Sequence, residues 1–256
     1  AKTLYYENSA VVGANLSGLT ILNEQYGLVT GDGIRRIDLK SLNNVRIKNE
    51  RLLCFYNSII YNGKVLSNDT YKDESKVKYY DVNELIAAKE GEAPAVTELD
   101  IIQKQKINFV LAKDGNVYTL ESADNGCNIV KIKNDFTLEK VFANFQPAKG
   151  PYHSSPTIGM VASETENIIY LVSTDGAIYK YILGDSDSLK APFIAAESGV
   201  SITAPLQLNQ QSGERYVTYT EERKDESKIV VYSKDGKVLH TVDCGESVPS
   251  QILFNN

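Results

Sequence analysis

The amino-acid sequence predicts an all-β protein built from repeated four-stranded antiparallel sheets. Apolar residues alternate with polar ones or run in blocks of about four to eight, and Gly, Asn, Asp, Ser and Pro separate these blocks. Long amphipathic patterns are nearly absent. The best helical segment, residues 82–89, is followed by Gly91 and Pro94, and it predicts at most one helical turn. The third observation is a strand pattern that recurs along the whole chain.

This recurring strand has an apolar residue, then an aromatic residue or Ile, then a polar turn. Its key positions are Ile37, Tyr80, Ile132, Tyr181 and Tyr232. Their spacings of 43, 52, 49 and 51 residues match the size of one blade of a β-propeller. We therefore expect a propeller of five or six four-stranded blades. Two packed β-sandwich domains are the alternative fold.

A second repeat register is open to the same sequence. It uses the Asp-Gly pairs at 114–115, 175–176 and 235–236, which are 61 and 60 residues apart. Asp-Gly supplies the positive backbone angles of a tight hairpin, and β-branched and aromatic runs flank the pair at 175–176. We favour the first register because it uses the whole chain and gives every unit the same strands.

The chain ends predict how the repeat closes. Residues 250–255 form one strand pattern, and residues 3–7 form another that has no partner in sequence. We expect the segment from Ile252 to Phe254 to pair near residues 3–7, because that pairing removes an exposed sheet edge. We interpret residues 1–256 as a single propeller domain, either a mature chain or a piece of a longer protein, since the sequence does not begin with Met.

The hairpin at residues 173–179, Ser-Thr-Asp-Gly-Ala-Ile-Tyr, resembles the units of β-propellers, in particular PQQ-type and related irregular blades. The chain has no Trp, so the resemblance is at superfamily level and implies a fold without implying a function. The bias towards Asn, Lys, Ile and Tyr is similar to that of exported propellers of low-GC bacteria such as Bacteroidetes. This similarity implies a periplasmic or cell-surface location.

Composition argues against several functional classes. The net charge of −6 disfavours binding to nucleic acid or to anionic membranes. No apolar run approaches the ~18 residues of a membrane span. Cys54, Cys127 and Cys244 lie far apart and are odd in number, which indicates neither a zinc site nor a disulfide scaffold. We expect no metal and no cofactor.

Candidate ligand-binding residues lie in loops. Tyr152 and His153 lie in the most distinctive loop, which contains three Pro residues between positions 147 and 156. A His beside Tyr and Ser has the chemistry to position a polar ligand or to act as a base, although a rigid linker with a solvated His is the simpler interpretation. Asp114 and Asp175 flank this loop if, as we expect, their turns lie on the same face of the propeller. His240 alternates with apolar residues and is predicted to be a surface strand position.

The sequence contains no catalytic constellation. We therefore expect a monomeric, non-catalytic propeller that uses loops on one face to bind a protein, peptide or glycan. The alternative is a glycan-processing hydrolase or lyase with carboxylates in the central channel, which would show as acids of raised pKa around the axis.

Overall fold

The computed structural model describes most of the chain in nine segments. They are residues 18–31, 33–48, 58–68, 75–92, 94–103, 108–148, 159–202, 206–221 and 226–245. The chain divides into two compact units, Ala1–Gln105 and Lys106–Asn256. The expected pairing of residues 3–7 with 252–254 lies outside the described residues, as does Cys54. Cys127 is a buried free thiol and Cys244 a partly exposed one.

Unit 1 contains two four-stranded antiparallel sheets, each with its strands in sequence order. Sheet 1 consists of β1 (Gly18–Ile21), β2 (Tyr26–Gly31), β3 (Gly33–Asp38) and β4 (Asn44–Lys48). Sheet 2 consists of β5 (Ile59–Tyr61), β6 (Lys64–Asn68), β7 (Ser75–Asp81) and β8 (Val96–Gln103). A short helix, α1 (Val82–Ala87), lies between β7 and β8.

Unit 2 contains three further antiparallel sheets. Sheet 3 consists of β9 (Val110–Leu111), β10 (Val117–Ala123), β11 (Gly126–Ile132) and β12 (Leu138–Phe145). Sheet 4 consists of β13 (Met160–Ala162), β14 (Ile168–Val172) and β15 (Ile178–Ile182). Sheet 5 consists of β16 (Val200–Ile202), β17 (Gln207–Leu208), β18 (Arg215–Glu221), β19 (Ser227–Tyr232) and β20 (Val238–Gly245). Because β16 and β17 both pair with β18, they are two pieces of one first strand.

Sheet 4 differs from the four-stranded pattern. A single antiparallel bridge between Ile178 and Ile194 stands where a fourth strand would lie, and the Ile178 carbonyl accepts the N–H groups of Phe193 and Ile194 at 2.8 and 3.0 Å. Pro192 lies two residues before Ile194, where the next hydrogen bond of the ladder would form, and it has no N–H to donate. The 3-10 turn Ser186–Leu189 occupies the intervening chain.

The repeat predicted from the sequence is present in the structure. Its five key residues all lie on the third strand of a sheet, each at the last residue of the strand or one residue before it, next to the turn into the fourth position. All five are buried, with exposures between 0 and 6%. These residues are Ile37, Tyr80, Ile132, Tyr181 and Tyr232. An apolar or aromatic residue at this site therefore packs into the core of its own unit.

Helix α1 forms where the sequence predicted at most one helical turn, and its 6 residues exceed one turn of about 3.6 residues. The Asp81 carboxylate caps it by accepting the N–H groups of Asn83 at 2.8 Å and Glu84 at 3.1 Å. Leu85 is fully buried in the core cluster of unit 1, and Arg36 donates to carbonyls at the C-terminal end of the helix. No helix in the described segments has the length and apolar character needed to cross a membrane.

Amide side chains join neighbouring sheets of unit 2 along the free edge of β13. The Asn108 amide donates to the Met160 carbonyl at 2.7 Å and accepts the Met160 N–H at 3.2 Å. From the next sheet, Gln210 donates to the Ala162 carbonyl at 3.0 Å and accepts the Glu164 N–H at 2.9 Å. We call these two residues the amide clamps. They satisfy backbone groups that β14 does not reach.

A buried arginine connects sheets 4 and 5. Arg215 is 1% exposed, and its guanidinium carbon lies 4.3 Å from the ring centroid of Tyr170 and 4.9 Å from that of Phe193. The guanidinium donates to the Tyr170 hydroxyl and to the carbonyls of Ser233 and Lys234. The cation is thus held by aromatic faces and neutral oxygens.

Candidate functional site

The structure places the two predicted acids in different kinds of turn. Asp114 lies between β9 and β10, the first and second strands of sheet 3, whereas Asp175 lies between β14 and β15, the second and third strands of sheet 4. In an antiparallel meander these two connections lie at opposite ends of a sheet. The expectation that both acids share one face therefore does not hold. Tyr152 and His153 lie outside the described residues.

Asp114 is held by its own sheet. Its carboxylate accepts the Tyr118 hydroxyl at 2.9 Å and the Asn116 N–H at 3.1 Å, and Lys131 pairs with it at 2.9 Å. Partial burial raises the pKa of Asp114, but the Lys131 ammonium and the hydrogen bonds outweigh it and hold the pKa below its usual value. The negative charge of Asp114 is therefore compensated by Lys131, and the side chain has a structural role.

Asp175 is exposed and has a different environment. Its Oδ1 accepts the Ser173 hydroxyl and the Ala177 N–H, the latter at 3.0 Å. The Ser173 hydrogen bond, followed by that from Ala177, lowers the pKa of Asp175. Within the described segments no Lys or Arg forms an ion pair with it. The carboxylate is therefore ionised at neutral pH, and none of the Lys or Arg side chains that the structure describes pairs with it.

Residues 173–175, here called the shared turn, line two clefts. The polar cleft has a volume of about 520 Å³, and the aromatic cleft one of about 280 Å³. The polar cleft is also lined by Ala148, Gly176 and β16 (Val200–Ile202). The aromatic cleft is also lined by Phe142, Asn144, Phe145, Gln146, Tyr179 and Leu189. The carboxylate of Asp175 thus lies at the junction of a hydroxyl-bearing surface and an aromatic one.

Residues 146–148, at the start of the Pro-rich loop, hold the shared turn in place. The Thr174 N–H donates to the Gln146 carbonyl at 3.0 Å, and the Ala148 N–H donates to the Val172 carbonyl at 2.9 Å. Pro147 forms an isolated bridge with Ser173. Because the turn is bonded on both sides, its carboxylate is presented from a fixed backbone.

Sequence reasoning missed the aromatic wall of the second cleft. Phe145 and Tyr179 meet edge to face, with ring centroids 5.7 Å apart, and Phe142 lies two-thirds of the way along β12. Their pattern in the sequence is that of ordinary strand residues, so no local signal distinguishes them. The packing of sheet 3 against sheet 4 brings them beside Asp175.

The described residues offer no metal site, since no group of three or more His, Cys, Asp or Glu side chains in those segments is placed to hold an ion. His240 lies on β20 with an exposed side chain, which confirms its predicted surface position. The chemistry available in the two clefts is hydrogen bonding by hydroxyl, amide and carboxylate groups together with aromatic contact.

Comparison with known proteins gives one family match. A family model described as "Domain of unknown function (DUF5074)" matches residues 1–232. No curated protein matches the sequence.

Solved structures similar to this chain are β-propellers of low sequence identity. TolB from Acinetobacter baumannii superposes with a TM-score of 0.53 at 11% identity over 90% of this chain, which spans 55% of TolB. The β-propeller domain of Cps50 (Swd1) from Myceliophteria thermophila gives 0.55 at 12% identity, covering 92% of this chain and 75% of that one. Prolyl oligopeptidase B from Galerina marginata gives 0.57 at 11% identity, covering 92% and 36%. These similarities establish the β-propeller fold and confirm the predicted fold class.

Proposed function

We propose that this chain, which belongs to the DUF5074 family of domains of unknown function, is a non-catalytic binding protein. Its ligand is a protein, peptide or glycan held against the shared turn. The observation that carries the proposal is that residues 173–175 line both the polar cleft and the aromatic cleft. A ligand that crosses this turn contacts hydroxyl groups on one side and aromatic rings on the other.

The sizes and linings of the clefts support binding of an extended ligand. Ligand sites typically have volumes of roughly 300–1,000 Å³ and combine apolar walls with a few polar groups. The polar cleft, at about 520 Å³, falls within this range, and the aromatic cleft adds further surface. Two adjoining clefts suit a chain-like ligand better than a single compact molecule.

The state of the acids supports binding rather than catalysis. A general acid or base works best with a pKa near the operating pH. Asp175 and Asp114 both have pKa values below the usual value for a carboxyl group, so each remains ionised near neutral pH. An ionised acid that accepts hydrogen bonds is suited to recognition. Export to the periplasm or cell surface is part of the proposal, and it rests on composition.

The test is to fill the polar cleft and compare binding with a matched surface variant. Ser201 is exposed on β16 and lines this cleft, so Ser201→Trp places an indole in it. Thr97 is exposed on β8, outside both clefts, and Thr97→Trp is the control. The probes are arrayed short peptides and neutral oligosaccharides. We expect the wild type and Thr97→Trp to retain the same array signals and Ser201→Trp to lose them by about tenfold or more. Equal signals from both variants, or none from the wild type, would contradict the proposal.

A further inference from the structure

Asp175 carries the only charge among the described residues that line the two clefts. In another Asp-Gly turn of unit 2, the charge of Asp114 is compensated by Lys131 at 2.9 Å. No cation among the residues that the structure describes does the same for Asp175. Among the described residues, the negative charge of the site therefore has no compensating cation, and no described group there attracts an anionic ligand.

The turn uses only one of the two carboxylate oxygens of Asp175, so Oδ2 is available to accept a hydrogen bond from a ligand. Both hydrogen bonds that stabilise the turn, from the Ser173 hydroxyl and the Ala177 N–H, go to Oδ1. Within the described segments Oδ2 accepts neither of them. A donor from a ligand can thus bind Oδ2 while the turn stays intact.

The aromatic cleft supplies the second contact that a cationic side chain uses. Aromatic faces attract ammonium and guanidinium groups, and the methylene stems of Lys and Arg pack on apolar surface. The chain forms such contacts elsewhere: the Lys180 ammonium lies 5.6 Å from the ring centroid of Phe193. Phe142 and Tyr179 are half-buried in the aromatic cleft, so part of each ring remains accessible.

We propose that the ligand of this site is a peptide segment with a Lys or Arg side chain that pairs with Asp175. The stem of that side chain lies against the aromatic cleft, and the neighbouring peptide crosses the shared turn into the polar cleft. This inference rests on the proposed function and specifies its ligand. A neutral glycan fits the charge less well, because its hydroxyls can donate to the carboxylate but bring no positive charge to compensate it when water is displaced.

The test uses fluorescein-labelled short peptide pools with Lys, Arg, Gln or Glu at the central position and uncharged residues elsewhere. Fluorescence anisotropy measures their binding to the wild type and to Asp175→Asn. We expect the Lys or Arg pool to bind at least about tenfold more tightly than the Gln and Glu pools, as a charge-assisted hydrogen bond provides. We expect Asp175→Asn to abolish that difference.

The chain offers a closely matched control for the charge. Asp135 is exposed in the turn between β11 and β12, accepts the Thr137 N–H at 3.0 Å and lies outside both clefts. Asp135→Asn removes the same charge from the same kind of turn, and we expect it to bind the basic pools as the wild type does. If it weakens binding as much as Asp175→Asn, net charge is responsible and the proposal is wrong.

Two outcomes separate this inference from the function it rests on. Gln-pool or oligosaccharide binding that equals basic-pool binding, and that Ser201→Trp abolishes, would overturn the basic ligand and leave the clefts as a binding site. Basic-pool binding that Ser201→Trp leaves unchanged would overturn both. Weaker binding at high salt is expected for the wild type and not for Asp175→Asn.

Discussion

The amide clamp from Asn108 is the feature of unit 2 whose removal has the best-defined cost. Asn108→Ala deletes the donor to the Met160 carbonyl at 2.7 Å and the acceptor of the Met160 N–H at 3.2 Å. Met160 is 5% exposed, so solvent replaces neither bond fully. A hydrogen bond contributes about 0.5–1.5 kcal/mol net, and a buried group left without a partner costs about 1–3 kcal/mol.

For two such bonds at a half-buried amide, we expect Asn108→Ala to lower the free energy of unfolding by about 2–3 kcal/mol. In a domain of this size the corresponding fall in Tm is about 4–12 °C. Urea denaturation followed by circular dichroism measures the free energy, and calorimetry measures Tm. The change should appear in the midpoint and leave the m-value unaltered.

Asn116→Ala is the control for this prediction. The Asn116 amide donates at 3.2 Å to the Asp114 carbonyl within an exposed turn of the same sheet, so its loss should cost less than about 1 kcal/mol. Equal destabilisation by the two substitutions would show that the clamp has no special role. An unchanged stability in Asn108→Ala would refute the reasoning from buried backbone groups altogether.

The remaining predictions concern a buried cation and an ion pair. Arg215→Ala should lower the free energy of unfolding by about 3 kcal/mol or more, because it opens a cavity and leaves buried oxygens without a donor; a loss under about 1 kcal/mol in urea denaturation would contradict this. Asp114 has a lowered pKa in the folded state, so its contribution to stability is present above about pH 4 and is lost as the pH falls through that lowered pKa. The stability difference between wild type and Asp114→Asn should therefore shrink between about pH 7 and pH 2, and a constant difference in unfolding free energy would rule this out.

Strand periodicity was predictable because it depends on local side-chain chemistry. The apolar or aromatic residue at the third-strand site is buried in all five sheets. Burial therefore accounts for the pattern that recurs in the sequence. The short helix was predictable for the same reason, since Leu85 packs inward and Asp81 caps the first turn.

The position of the Asp-Gly turns was not predictable from their spacing. Asp114 lies in a first-to-second turn, Asp175 in a second-to-third turn and Asp235 in a third-to-fourth turn. The following glycines have φ values of 75°, 83° and 80°, a region that glycine enters without strain. The dipeptide therefore specifies the local geometry of a hairpin and carries no information on which strands it connects. That is why the expected face for Asp114 was wrong.

The two clefts could not be predicted from the sequence, and the reason is different. Their linings come from strands that are distant in sequence, including Phe142 on β12, Asp175 after β14 and Ser201 on β16. Each residue alone is an ordinary strand or turn residue. Only the pairing of strands and the packing of sheets within unit 2 places them around the shared turn, and neither is encoded in a local motif.

Turn formation by Asp175 and the ligand binding that we propose for it are separable, because they use different atoms. The turn uses Oδ1, which accepts the Ser173 hydroxyl and the Ala177 N–H; Asp114 and Asp135 make the same kind of backbone contact in their turns. Turn formation alone therefore explains why Asp occupies this position, and it does not explain the absence of a nearby cation among the described residues. Asn keeps an acceptor oxygen for the turn and replaces the second oxygen with a donor, which repels a cation. Unchanged stability together with lost binding in Asp175→Asn would assign the charge to recognition, whereas lost stability would assign it to the turn.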